Sequence, residues 1–154
     1  MVLGLGNPIL SDDSVGIRVA RALEGRLNRP EITVMETSTA GLGLLDLLAG
    51  YDRAIIIDAI QTGEGKVGQV YQLEPEAFNS TRRAASPHDV NLATALELGG
   101  RLGIALPKEI VIFAIEVENV TSFSEQCTPE VERAIPICVD RVIQQLDSSL
   151  NTRG

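Results

Sequence analysis

Two patterns of apolar spacing recur along this chain. One is the short, nearly unbroken apolar run. The other is the longer stretch with apolar residues three or four positions apart. Val2 to Leu5 is a run of the first kind and ends in Gly4-Leu5-Gly6-Asn7-Pro8, a strand passing into a loop. From Ser14 the second pattern takes over. Val15, Val19, Ala22, Leu23 and Leu27 recur near helical spacing, with Arg18, Arg21 and Glu24 mostly outside the stripe. Ile32 to Met35 predicts a second strand after Pro30, and Gly41 to Ala49 a Leu-rich second helix. Ala54 to Ile60 is apolar except for Asp58 and predicts a central strand buried on both faces.

Gly63-Glu64-Gly65-Lys66 predicts a turn, and Val67 to Leu73 a strand that suits an antiparallel edge. Glu74 to Pro87 is polar and predicts a loop, followed by a helix from His88 to Leu98 that Gly99-Gly100 would end. Glu109 to Ile115 predicts a further strand. Thr128-Pro129-Glu130 then opens a long helix, with Thr at the N-cap and Pro at the first helical position. Its stripe is Val131, Ala134, Ile135, Cys138, Val142, Ile143 and Leu146.

Strands alternating with helices predict a single-domain α/β three-layer sandwich, with a mainly parallel, twisted sheet of about five strands flanked by helices. The domain is expected over residues 1–147, with 148–154 a polar tail that frays.

Composition narrows this picture. At 154 residues the chain is one domain long. Aromatics are 3% and Trp is absent, so the core must be built from Val, Ile, Leu and Ala. The net charge of −8 opposes binding to a phosphate backbone. No apolar run reaches the ~18 residues of a membrane span, and no signal peptide is visible at Met1-Val2-Leu3-Gly4. Cys127 and Cys138 show no metal-ligand spacing and indicate no disulfide framework, the latter fitting a reducing cytoplasm.

Ligands of such sheets bind beyond the carboxyl ends of the strands. That rule singles out Asp12 and Asp13 after the first strand, Asp58 near the end of the third, and His88, the chain's single histidine. Asp58 interrupts an apolar strand, where an unpaired carboxylate is costly. Structural alternatives stand beside each: Asp12 or Asp13 as helix N-terminal charge, Asp58 as a capping group, His88 as a solvated helix-start residue. Two carboxylates and an imidazole suit a divalent transition metal and leave open coordination positions. The spacing matches no helical His motif, so metal binding is a weak signal from residue types alone.

The segment Leu3-Gly4-Leu5-Gly6-Asn7-Pro8-Ile9-Leu10-Ser11-Asp12-Asp13-Ser14-Val15-Gly16-Ile17-Arg18 resembles the N-terminal signature of hydrogenase maturation endopeptidases. Thr39-Ala40-Gly41-Leu42 with Leu44-Leu45, Ile56-Ile57-Asp58-Ala59, Ser86-Pro87-His88, and Ile115-Glu116 followed by Thr128-Pro129-Glu130-Val131 resemble that family's later segments, in the same order. The resemblance spans roughly residues 2–146. It implies an endopeptidase that removes a C-terminal extension from a nickel–iron hydrogenase large-subunit precursor. It also implies nickel ligation by Asp13, Asp58 and His88, with the nickel delivered in the substrate rather than held at rest; a surrogate ion such as cadmium or zinc would fit the same ligands.

Asp12 or Glu36 is a candidate general base, and a cytoplasmic monomer is expected. Where the family often has Asp-Gly-Gly-Thr, this chain reads Glu36-Thr37-Ser38-Thr39, which bears on the choice of precursor. No nucleophile is evident: Ser11, Ser14 and Ser38 lack a second histidine.

Other readings fit less well. Peptidyl-tRNA hydrolases begin similarly with Gly-Leu-Gly-Asn-Pro but need a histidine that residues 9–87 lack. A dinucleotide fingerprint is broken at Ile9. A nickel-dependent assembly chaperone that binds the precursor without cutting it remains consistent with these residues.

Overall fold

The computed structural model describes residues 1–81 and 92–151. Five strands form one sheet: β1 (Val2–Leu5), β2 (Val34–Thr37), β3 (Arg53–Ile60), β4 (Val70–Leu73) and β5 (Glu109–Glu116). Their order is β2-β1-β3-β5-β4, with every neighbouring pair parallel except the antiparallel edge strand β4. Among the described residues five α-helices cover it: α1 (Val15–Arg26), α2 (Leu44–Leu48), α3 (Pro75–Thr81), α4 (Leu92–Arg101) and α5 (Pro129–Asn151). This is the expected three-layer architecture.

Alternation along the strands divides the core between two faces. Ile55 and Ile57 of β3 pack with Phe113 and Ile115 of β5, under Val15, Val19 and Leu23 of α1 and Val131, Cys138 and Val142 of α5. Ala54, Ile56 and Ile60 face the other way. They pack with Ile112 and Ala114 under Leu44 and Leu48 of α2, Phe78 of α3 and Leu92 of α4.

Five local outcomes differ from the sequence expectations. The strand expected over Val67 to Leu73 begins at Val70, where pairing with β5 starts. β2 lies about two residues later than Ile32 to Met35, because Val34 to Thr37 is the stretch that pairs with β1. The stretch read as a polar loop contains α3, started by Pro75 at its first position and anchored by buried Phe78. Gly99-Gly100 does not end α4, which continues to Arg101; Gly99 lies where a Cβ would meet Leu106 and Leu45. Helix α5 continues to Asn151, into the expected tail. There the Ser148 and Ser149 hydroxyls donate back to Gln144 and Gln145 carbonyls, each at 2.9 Å.

The order of connections positions the site. From β1 the chain passes through α1, on one face, to β2. It returns through α2, on the other face, to β3 on the opposite side of β1. Successive connections thus diverge between β1 and β3, and a doubly wound sheet opens its crevice at the carboxyl ends of such a strand pair. Gly16, at the start of α1, lets the helix settle on these ends: a Cβ there would strike the carbonyl oxygens of Leu5 and Ile57.

Candidate active site

The loop leaving β1 turns back on itself to present Asp13. Gly6 adopts a φ of 147°, and a Cβ there would strike the Asp13 carbonyl oxygen. Residues 11–14 then form a 3-10 turn, entered through Ser11 at a φ of 40°. The Asn7 amide donates to Asp13 Oδ2 at 3.1 Å, while Asn7 Oδ1 accepts from the Ile9 amide at 3.2 Å. Asn7 therefore ties the loop into one hydrogen-bonded unit around Asp13. Burial raises the Asp13 pKa above its ordinary 3.8, and the Asn7 amide opposes that shift.

Asp58 lies two residues before the end of β3, opposite Ala114 of β5. It shares the face of Ile56 and Ile60, the face covered by α2, α3 and α4. Its Oδ1 accepts from the Ala59 amide at 2.8 Å, and the residue is partly buried. Asp13 and Asp58 are thus both at the carboxyl end of the β1–β3 pair. His88 lies outside the described residues, as does the whole Ser86-Pro87-His88 segment; α4 begins at Leu92 on the Asp58 face. Among the described residues no three His, Cys, Asp or Glu side chains gather as a metal-holding group.

The two candidate bases have other occupations. Asp12 is fully buried, and its carboxylate accepts from the amides of Glu118, Asn119 and Thr128 and from the Thr128 hydroxyl. It acts as a brace, without solvent access for a water-activating base. Glu36 on β2 accepts from Arg21 through both oxygens, Nε at 2.8 Å and Nη2 at 2.7 Å. That guanidinium holds Glu36 below the usual carboxylate range, which makes it a poor proton acceptor.

Sequence reasoning assigned no role to Asn7 or Glu116. Asn7 stands within the Gly-x-Gly-Asn stretch of the N-terminal signature, which by itself gives it no partner. Glu116 is a buried carboxylate at the end of β5 that accepts from the Thr62 amide at 2.9 Å, the Thr62 hydroxyl and the Tyr71 hydroxyl, pinning the β3–β4 loop. Both cysteines are buried and unpaired.

A family model described as hydrogenase maturation protease (HycI) matches residues 17–145. The chain belongs to the hydrogenase maturation protease family. Among curated family members, the hydrogenase 2 maturation protease of Escherichia coli K12 is 31% identical over 151 residues, covering 97% of this chain and 91% of that protein. The hydrogenase expression/formation protein HupD of Bradyrhizobium diazoefficiens is 28% identical, over 95% and 77% respectively. The solved structure of the hydrogenase maturating endopeptidase HybD from E. coli superposes with a TM-score of 0.82 at 32% identity, covering 96% of this chain and 91% of that one. Among its described residues, this maturation protease has no helix long and apolar enough to cross a membrane.

Proposed function

We propose that this protease removes the C-terminal extension of a nickel–iron hydrogenase large-subunit precursor, and that it recognises the nickel already inserted in that substrate. One observation carries the reading within the family: two partly buried carboxylates, Asp13 and Asp58, sit at the carboxyl ends of the adjacent strands where the chain's connections diverge. With His88 they supply a two-oxygen, one-nitrogen donor set suited to a borderline divalent ion. The raised pKa of Asp13 fits a carboxyl partly removed from water, where an arriving cation gains most from its negative charge.

Asp13, Asp58 and His88 grip the substrate's nickel at its open positions. This fixes the scissile peptide and polarises its carbonyl. Water attacks the carbonyl carbon, and its oxygen becomes part of the new carboxyl group. The carbon–nitrogen bond breaks, and one proton of that water passes to the departing amide nitrogen. No serine or cysteine nucleophile is required. The reaction runs in the cytoplasm, on a monomeric enzyme, and a cadmium or zinc ion would occupy the same donors when nickel is absent.

The test is incubation with nickel-loaded and nickel-free large-subunit precursor, followed by mass measurement of the precursor's C-terminus. Cleavage of the nickel-loaded form alone is expected, lost in Asp13→Ala, Asp58→Ala and His88→Ala. Equal cleavage of both forms would overturn nickel recognition. Binding of the loaded form without cleavage would overturn the protease reading in favour of an assembly chaperone.

A further inference from the structure

Seven large hydrophobic side chains stand exposed among the described residues: Ile9, Leu42, Leu98, Leu102, Phe123, Ile137 and Leu150. Three of them lie in loops at one end of the molecule. Ile9 follows β1, Leu42 follows β2 and Phe123 follows β5, and these strands run in parallel. Their loops therefore open together, at the end that carries Asp13 and Asp58. Ile9 and Phe123 are neighbours, since the Ser124 amide donates to the Ile9 carbonyl at 2.9 Å and the Ser11 amide to the Ser124 carbonyl at 2.9 Å.

Phe123 is the most exposed of the seven, at 84%. Its loop is nonetheless braced. Asn119 Oδ1 accepts from the Ser122 amide at 3.1 Å, and Asn119 Nδ2 donates to Ser122 Oγ at 3.1 Å. The Asn119 amide in turn donates to Asp12, at 3.1 Å, one residue from Asp13. An aromatic ring held in water by an ordered loop has given up hydrophobic burial without the entropy of a mobile segment. Preorganised aromatic anchors at protein interfaces have this character. The surroundings are acidic. Glu118 and Glu125 are exposed on the same loop, and the nearby Arg18 is already engaged by the Glu125 carbonyl and the Glu132 carboxylate.

We propose that Ile9 and Phe123 form the docking rim for the precursor, receiving an apolar side chain close to the cleaved bond while Glu118 and Glu125 meet basic residues that flank it. This inference rests on the proposed function. The rim shares its loop with the site: the Asn7 amide, two residues before Ile9, donates to Asp13. The net charge of −8 adds attraction for a basic segment.

The test measures cleavage rate against the concentration of nickel-loaded large-subunit precursor for the wild type, Phe123→Ser, Ile9→Ser and the double variant Glu118→Gln/Glu125→Gln. Phe123→Ser is expected to raise KM about tenfold, the loss typical of an aromatic anchor, with kcat within about twofold. The charge variant is expected to raise KM less and to weaken its dependence on salt. Melting temperatures should not move, because the altered side chains are exposed. An unchanged KM in both Phe123→Ser and Ile9→Ser would overturn the docking rim even if the wild type cuts normally. Pull-down of the precursor separates this from failure of the protease reading. Wild type that binds without cutting, with binding lost in Phe123→Ser, supports the rim and refutes the protease. Wild type that neither binds nor cuts refutes both. Loss of a wild-type dimer in Phe123→Ser, with KM unchanged, would assign the patch to a second copy of the chain and overturn the proposal.

Discussion

Thr128 donates both its backbone amide, at 2.7 Å, and its hydroxyl, at 3.0 Å, to the carboxylate of Asp12, 116 positions earlier in the chain. The same carboxylate holds the amides of Glu118 and Asn119. One buried side chain thus joins the turn bearing Asp13, the loop bearing Phe123 and the N-terminus of α5, where a negative charge also complements the helix dipole. Asp12→Ala removes this acceptor and leaves buried amides unpaired. We expect it to cost about 3 kcal/mol, with Asp12→Asn milder because one oxygen survives. Chemical denaturation of the three proteins checks the order.

Asp13 lies beside this brace but serves another purpose, and its stability should reveal that. Burial raises its pKa above 3.8, so ionising it is harder in the folded chain than in the unfolded one. Its contribution is fully present below 3.8 and is lost as pH climbs through the raised value. Asp13→Asn is neutral throughout. It should melt above the wild type at neutral pH, the gap closing below 3.8, while cleavage is abolished. A variant that is less stable at neutral pH would contradict this assignment.

Glu36 and Arg21 form a two-pronged ion pair on the surface, with side chains 40% and 55% exposed. Water screens such pairs, and we expect Glu36→Gln to lower stability by under about 1 kcal/mol. Because Arg21 already occupies both carboxylate oxygens, cleavage of the precursor should persist within a few-fold. A fall of a hundredfold or more in kcat would restore Glu36 as a general base.

Thiol chemistry should leave the enzyme untouched. Burial pushes Cys138 up to about 12 and raises Cys127 as well, so almost no thiolate is present near neutrality. Iodoacetamide should label neither residue in the folded protein and both after denaturation, with full activity retained before denaturation. Labelling of native Cys127 accompanied by inactivation would point to a thiol role.

Several features were legible in the sequence because they repeat at short range. Asp58 stood out as the one charge in an apolar strand, and the α5 stripe was periodic enough to place Pro129 at its start. The parallel sheet and the edge position of β4 followed from run length and from the neighbouring turn. Other features depended on distant partners. Helix α3 has a single large apolar anchor, Phe78, and only its packing on the sheet and on α4 makes that one contact sufficient. Gly99 read as a helix stop, yet packing against Leu45 and Leu106 makes it a point of close approach inside α4.

Asp12 and Asp13 show the division most plainly. The sequence by itself determined that two carboxylates follow β1 and precede a helix, where a doubly wound sheet opens its crevice. It offered no local means of telling them apart, since they share a residue type and adjoin in one turn. The tertiary structure decided their roles. The turn aims Asp12 inward at Glu118, Asn119 and Thr128, more than a hundred positions away, and leaves Asp13 partly open beside Asn7. Hydrogen-bond partners at that separation exist only once α5 and the β5 loop have closed over α1, so no window of sequence around residue 12 carries the information.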